Sequence, residues 1–208
     1  MKTENILMVA LLLLPVLSIV PKSQHPCPNC TLAGKTDTTA VRGVSFRYFK
    51  SSVSDFADTS PKKKWLDTSW TLWKAEKWAA LDTIFTDDKL NGDYPPANGG
   101  IDLQVVKLDS GTLIDRYGGF YTDTVFHDKG TFVSPKGIPY AERALPPGTD
   151  KKPYRAYRVI KTIVSIKKGE IIPWFNEPGL GIQYQTPVTI DSLKNGKYIV
   201  QISATPPK

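Results

Sequence analysis

The chain has little of what most hydrolytic and redox sites use. Its 208 residues include two histidines, two cysteines and two methionines. His25 and His127 show neither metal-ligand nor triad spacing, which argues against Ser-His-Asp chemistry. Two cysteines without a histidine cluster cannot complete a four-ligand zinc site. The glycine-rich stretches lack the glycine and lysine spacing of a phosphate-cradling loop. No internal repeat is evident. After the N-terminus, no apolar run is long enough to span a bilayer.

What is present begins with "MKTENILMVALLLLPVLSIVPKS". A charged start, an apolar stretch from Ile6 to Val20 and small or polar residues after it predict a secretory signal peptide. Pro15 interrupts the stretch, so cleavage near Val20 to Ser23 is favoured over a membrane anchor. Cys27 and Cys30, in "CPNC", follow that segment in a polar tail. A local disulfide or intermolecular bridges suit this context better than redox catalysis. Asn29-Cys30-Thr31 is a glycosylation sequon. The net charge of +7 favours anionic partners: nucleic acid, anionic lipid or a phosphate-bearing small molecule.

Residues 24–60 read as a loosely structured leader, with Val44 to Phe49 a short strand or docking segment. Then "DTSWTLWKAEKWAALDTIF" predicts a helix capped at Thr68 or Ser69, with Trp70, Trp73, Leu81, Ile84 and Phe85 on one apolar face. Lys62–Lys64, Lys74 and Lys77 would suit a membrane-surface helix, but Asp67, Glu76, Asp82, Asp87 and Asp88 weaken attraction to anionic lipid. "NGDYPPANGG" marks a boundary. Beyond it β pattern dominates: a Ser-Gly turn in "IDLQVVKLDSGTLID", two strands around Lys168-Gly169, and a hairpin at Asn195-Gly196. The division is therefore 1–22 signal peptide, 23–90 N-terminal region and 91–208 mainly β domain.

The polar residues available for chemistry lie in glycine- and aromatic-rich loops: "LIDRYGG", "KGTFVSPKGIPYAERALPP" and "PWFNEPGLGIQYQTP". Arginines pair with a pyrophosphate, aromatic faces stack on a flat cationic ring, and an amide bonds ribose hydroxyls.

In order, "LIDRYGG", "GTFVSPKGIPYAERALPP", "YRAYRV", "GEIIPWF" and "GLGIQY" resemble the signature of the TNT domain, found in the tuberculosis necrotizing toxin and in secreted fungal surface NADases. The resemblance runs roughly from Asp93 to Ile202. It implies an α+β fold: a mainly antiparallel β core preceded by a smaller, partly helical thumb. It implies hydrolysis of NAD to nicotinamide and ADP-ribose, at the cell surface or outside the cell, with NAD as substrate and no cofactor. Carried over motif by motif, Arg116 and Gln183 are the catalytic residues. Arg143 binds phosphates, Tyr117 contacts substrate, and Thr131 and Phe132 line the nicotinamide end. The resemblance further implies a homodimer. Only Asp191 follows Gln183 among acidic residues, so the C-terminal calcium site of the fungal enzymes is not expected, and no metal is. "FYTDTVFHD" between "DRYGG" and "KGTF" is an insertion relative to those enzymes, a lid or a restriction on entry.

The chemistry suits a glutamine. Nicotinamide leaves NAD as a neutral base, so no general acid is needed, unlike ordinary glycoside hydrolysis. The glycines before Gln183 are expected to let substrate approach the backbone. Gln185 would share its face in a regular strand. Alternatives are an ADP-ribosyltransferase using Glu142 or Glu177, and a basic module binding nucleic acid or membranes. NADP is a further candidate substrate. Neither nucleic-acid binding nor stable membrane insertion is the favoured reading.

Overall fold

The computed structural model describes residues 40–205. The signal segment, the Cys27–Cys30 pair and the Asn29 sequon lie outside the described residues.

The helical part comes first. A two-residue ribbon, β1 (Ala40–Val41) with β2 (Val44–Ser45), leads into α1 (Phe46–Ser51). Ser45 caps that helix by accepting the Tyr48 N–H at 3.1 Å. The stretch Val44 to Phe49 is thus a strand end, a cap and a helix, and the supposed leader is ordered from residue 40 because Phe49 and Phe56 are fully buried. The expected single tryptophan helix is two: α2 (Leu66–Lys74) and α3 (Trp78–Asp87). Its start is not Thr68 or Ser69. A 3-10 turn, Pro61–Trp65, precedes α2, with Ser60 accepting the Lys62 N–H and Pro61 at the first turn. The chain breaks at Glu76, which takes a left-handed conformation (φ 53°). Trp73 and Trp78 meet edge-on across that break, at 5.1 Å.

The rest is a seven-stranded sheet, antiparallel throughout. Its strands are β3 (Gly100–Leu108), β4 (Leu113–Tyr117), β7 (Phe132–Pro135), β8 (Tyr154–Val159), β9 (Ile163–Ile171), β10 (Ile182–Gln185) and β11 (Ile199–Thr205). A separate hairpin, β5 (Phe120–Thr122) with β6 (Val125–His127), falls in the segment expected from the sequence to be an insertion. Helix α4 (Ile190–Asn195) lies before the last strand. The order β11-β8-β4-β7-β10-β9-β3 keeps apart β3 and β4, which are consecutive in the chain. This is the expected α+β, mainly antiparallel class. Two turn signals had other uses. Lys168-Gly169 sits inside β9, and the turn falls at 160–162. Asn195-Gly196 ends α4 instead of a hairpin, a helix C-terminus that glycine serves equally well.

Two apolar clusters hold the layers together. One joins Phe49, Trp70, Trp73, Leu81 and Phe85 to Ile101, Ile171 and Trp174, so the helical part shares a core with the β9 side of the sheet. The other joins Ile114, Val133, Tyr157 and Ile166 to Ile190 and Leu193 of α4.

Candidate active site

Strand register positions the site. Asp115 of β4 pairs with Ser134 of β7, and the ladder stops there, before Arg116 and Tyr117. On the other side of β7, Tyr184 pairs with Val133, and Gln183 faces Gly169 of β9. Alternation therefore puts Gln183 on the face of Ser134 and Asp115, and Arg116 on the face of Ile114 and Tyr157. Where β4 gives way to Gly118-Gly119, Arg116 and Gln183 line one cavity of about 660 Å³, within the usual range of ligand pockets. Tyr117, Phe132 and Arg143 line it as well. Thr131 does not; its carbonyl accepts hydrogen bonds from the N–H and hydroxyl of Thr186.

Glycines make room for Arg116. A Cβ at Gly130 would lie 1.8 Å from its Nη1, and one at Gly118 would lie 2.5 Å from its Nη2. The guanidinium is threaded between the "DRYGG" and "KGTF" segments, where no side chain fits. Nη1 stands 3.2 Å from Asp128 Oδ1, a carboxylate with 1% side-chain exposure. The angle is poor for a hydrogen bond, so Nε and Nη1 remain buried donors without a hydrogen-bond partner among the described residues. Asp128 also accepts the Gly130 N–H at 3.2 Å. Burial pushes the Asp128 carboxyl up from its ordinary value, against the opposing pull of Arg116. Asp128 and Asp191 are tied together: the Asp128 N–H donates to the Asp191 carboxylate at 2.7 Å, and the Asp191 N–H to the Asp128 carbonyl at 3.0 Å.

Arg143 is built in differently. It is 5% exposed, its Nη1 stands 2.6 Å from buried Asp115, and its Nε and Nη2 donate to the Ile138 carbonyl. Asp115 also accepts from the Tyr154 hydroxyl at 2.8 Å and the Gly137 N–H at 3.2 Å. The Tyr154 hydroxyl is pushed up to about 12, chiefly by burial and then by that bond to Asp115. Tyr117 packs at 5.1 Å against Tyr140 and 4.9 Å against Tyr154, with the Arg143 guanidinium over its ring at 5.4 Å.

The opposite requirement applies before Gln183. A Cβ at Gly181 would meet the Glu142 carbonyl at 2.6 Å, and one at Gly179 the Ile172 backbone at 2.7 Å. These glycines seat the chain against its own backbone; they are not an opening for substrate. Gln183 and Gln185 do share a face, and both border a small recess beside the main cavity.

A further wall comes from Phe175, at φ 55°, a conformation that costs a non-glycine residue energy. The helical part holds it there. The Phe175 N–H donates to Asp82 at 3.1 Å, and the Trp174 indole donates to the Asp93 carbonyl at 2.9 Å. Trp174 is buried against Phe85, ring centroids 5.4 Å apart. Sequence reading missed Asp115, Asp128 and Phe175. Asp115 stands within "IDRY", but only the register shows it beneath Arg143.

Residues 107–202 match the family model described as tuberculosis necrotizing toxin. Over this segment the chain is similar to the TNT domain family. The segment holds every site residue of the TNT resemblance: Arg116, Tyr117, Thr131, Phe132, Arg143 and Gln183. The chain is also 36% identical over 135 residues to the conidial surface nicotinamide adenine dinucleotide glycohydrolase nadA of Aspergillus fumigatus, covering 57% of this chain and 54% of that protein. It therefore spans about half the length of that curated relative. A solved structure of the tuberculosis necrotizing toxin with its immunity factor matches with a TM-score of 0.42 and 23% identity, over 52% of this chain and 61% of that one. Among the described residues no group of three His, Cys, Asp or Glu side chains is placed to hold a metal ion, and no helix is long and apolar enough to cross a membrane.

Proposed function

We propose that the chain is a secreted or cell-surface NAD glycohydrolase, cleaving NAD, and NADP as a second substrate, to nicotinamide and the ADP-ribose product. The name of the Aspergillus relative supports both the activity and the location. The observation that carries the reading is the make-up of the cavity. Arg116 and Gln183 line it together, and its one lining carboxylate, Asp115, is already bound to Arg143 and Tyr154. A site without a free carboxylate or a histidine suits a leaving group that departs as a neutral molecule.

In this reaction the ribose C1′–N bond breaks, its electron pair goes to the nicotinamide, and an oxocarbenium ion forms at the ribose. Water then bonds to C1′ and releases a proton to solvent. The Gln183 amide hydrogen-bonds the ribose hydroxyls and fixes their orientation without changing its own protonation. A lone cation near an oxocarbenium ion would oppose the reaction. Arg116 carries Asp128 with it, so the pair presents directed donors with little net charge. The Arg116 guanidinium, where it lines the cavity, orients the nicotinamide carboxamide or an adjacent phosphate. Tyr117, Phe132 and Phe175 supply aromatic walls for flat rings.

The transferase alternative is less well supported. Glu142 and Glu177 do not line the cavity, and the Glu142 carbonyl is taken up by the Gly181 N–H. The test is incubation of the protein with NAD and NADP, with and without an acceptor protein. Equal release of nicotinamide and free ADP-ribose is expected. Label transferred to the acceptor, or no nicotinamide at all, overturns the reading.

A further inference from the structure

We propose that Lys129 and Lys152, alongside the ion-paired arginines of the two motifs, provide the unpaired positive charge that holds the diphosphate of the dinucleotide. The inference rests on the reading of the cavity as a dinucleotide site. It follows from the charges that line the cavity: Asp115, Arg116, Lys129, Arg143 and Lys152. Arg143 is neutralised by Asp115 at 2.6 Å, and Arg116 by Asp128 at 3.2 Å, both carboxylates with 1% side-chain exposure. A buried pair of opposite charges attracts a further anion weakly, because the two fields cancel beyond a few ångströms. Arg155, the cross-strand partner of Arg116, is not a lining residue; its guanidinium stacks on Phe126 at 3.7 Å and donates to the Tyr121 hydroxyl. Lys129 and Lys152 remain, and neither forms an ion pair among the described residues.

Both lysines stand by the same stretch of rim. Lys129 lies over the Phe120 ring at 5.8 Å, next to the Gly118-Gly119 turn. Lys152 precedes Pro153, whose carbonyl accepts the Gly118 N–H at 2.9 Å. Each ammonium is a compact charge on a flexible stem, able to follow a phosphate. A diphosphate carries two negative charges at neutral pH, and the rim offers two unpaired positive ones. The Arg143 guanidinium also braces the 138–143 loop against β4.

The test measures binding of ADP-ribose and of adenosine by calorimetry at two salt concentrations, in the wild type, Lys129→Met, Lys152→Met and the double variant. Each single change is expected to weaken ADP-ribose binding by about fivefold to tenfold, and the double change to remove most of its salt dependence. Adenosine binding should be unchanged in all four proteins. With NAD as substrate, KM should rise in parallel while kcat holds. Wild-type ADP-ribose affinity in the double variant overturns the proposal, as does an equal loss of adenosine binding. Hydrolysis is a separate matter. If the wild type binds ADP-ribose through the lysines but releases no nicotinamide, the lysine assignment stands and the glycohydrolase reading falls.

Discussion

Arg116 and Asp128 form a pair that strand pairing alone would not create. Arg116 is the penultimate residue of β4, Asp128 follows the β5–β6 hairpin, and they meet at 3.2 Å beneath Gly130. The β5–β6 hairpin thus returns the chain to the site with a carboxylate in hand. Asp128→Asn keeps the shape and removes the charge, so Arg116 should lose its orientation. We expect kcat to fall by about a hundredfold with KM changed much less, in the manner of a lost transition-state interaction. The acid side of the rate profile gives a second check. Burial raises the Asp128 carboxyl, so it takes up its proton at a higher pH than an ordinary aspartate as the solution is acidified. Wild-type kcat should fall over that range, while the Asn variant, already uncharged, should show no such limb.

Gly130→Ala tests the same pair from the other side. The new Cβ would sit 1.8 Å from Arg116 Nη1, so the guanidinium must leave its place. The backbone at Gly130 is not in the left-handed region, so the fold should survive. Loss of activity with an unchanged circular dichroism spectrum is the expected result; full activity would show that Arg116 need not be threaded there.

Gln183→Ala should leave the melting temperature nearly unchanged and lower turnover by orders of magnitude. Gln185→Ala, on the same face, should have the smaller effect, since Gln185 borders the side recess and not the main cavity. The ratio of the two kcat values decides between them.

The half-buried Tyr154 hydroxyl gives a pH-dependent stability. Its value in the folded protein is pushed up to about 12 by burial and by the bond to Asp115. The protonated form is thus favoured by folding. Its stabilisation is complete below the ordinary tyrosine value of about 10 and disappears as pH rises through the raised one. Denaturation midpoints of the wild type should therefore drop more steeply between those limits than those of Tyr154→Phe. A parallel decline in the two proteins would remove Tyr154 from the account.

Trp174→Ala should cost about 3–5 kcal/mol, because the indole is fully buried and bonded to the Asp93 carbonyl. It should also raise KM, since Phe175 loses the support that holds it at the cavity. Chemical denaturation and steady-state kinetics measure the two effects separately.

Much of this was legible in the residues. The β character after "NGDYPPANGG" and the tryptophan-rich helical region before it follow from hydrophobic period, and the ordered motifs around Arg116, Arg143 and Gln183 came from the resemblance to a known family. The errors were local signals with two meanings. Asn195-Gly196 serves a helix end as well as a hairpin, and Gly169 marks a close strand contact as well as a turn, with the Ile101 carbonyl 2.6 Å from where its Cβ would be. Glycines near Gln183 looked like a substrate opening and proved to seat backbone on backbone.

The sequence by itself determined which side chains stand along the motifs that line the cavity: a glutamine, arginines beside glycines, and aromatics in loops. Only the tertiary structure decided their charge state as a group. Asp115 finds Arg143 through the fold of one loop onto β4, and Asp128 finds Arg116 through a hairpin that leaves the sheet and returns. Electrostatic energy depends on distance and burial, and neither is a property of position along a chain. For that reason the arginines could be named from the sequence, while the lysines left free to meet an anion could not.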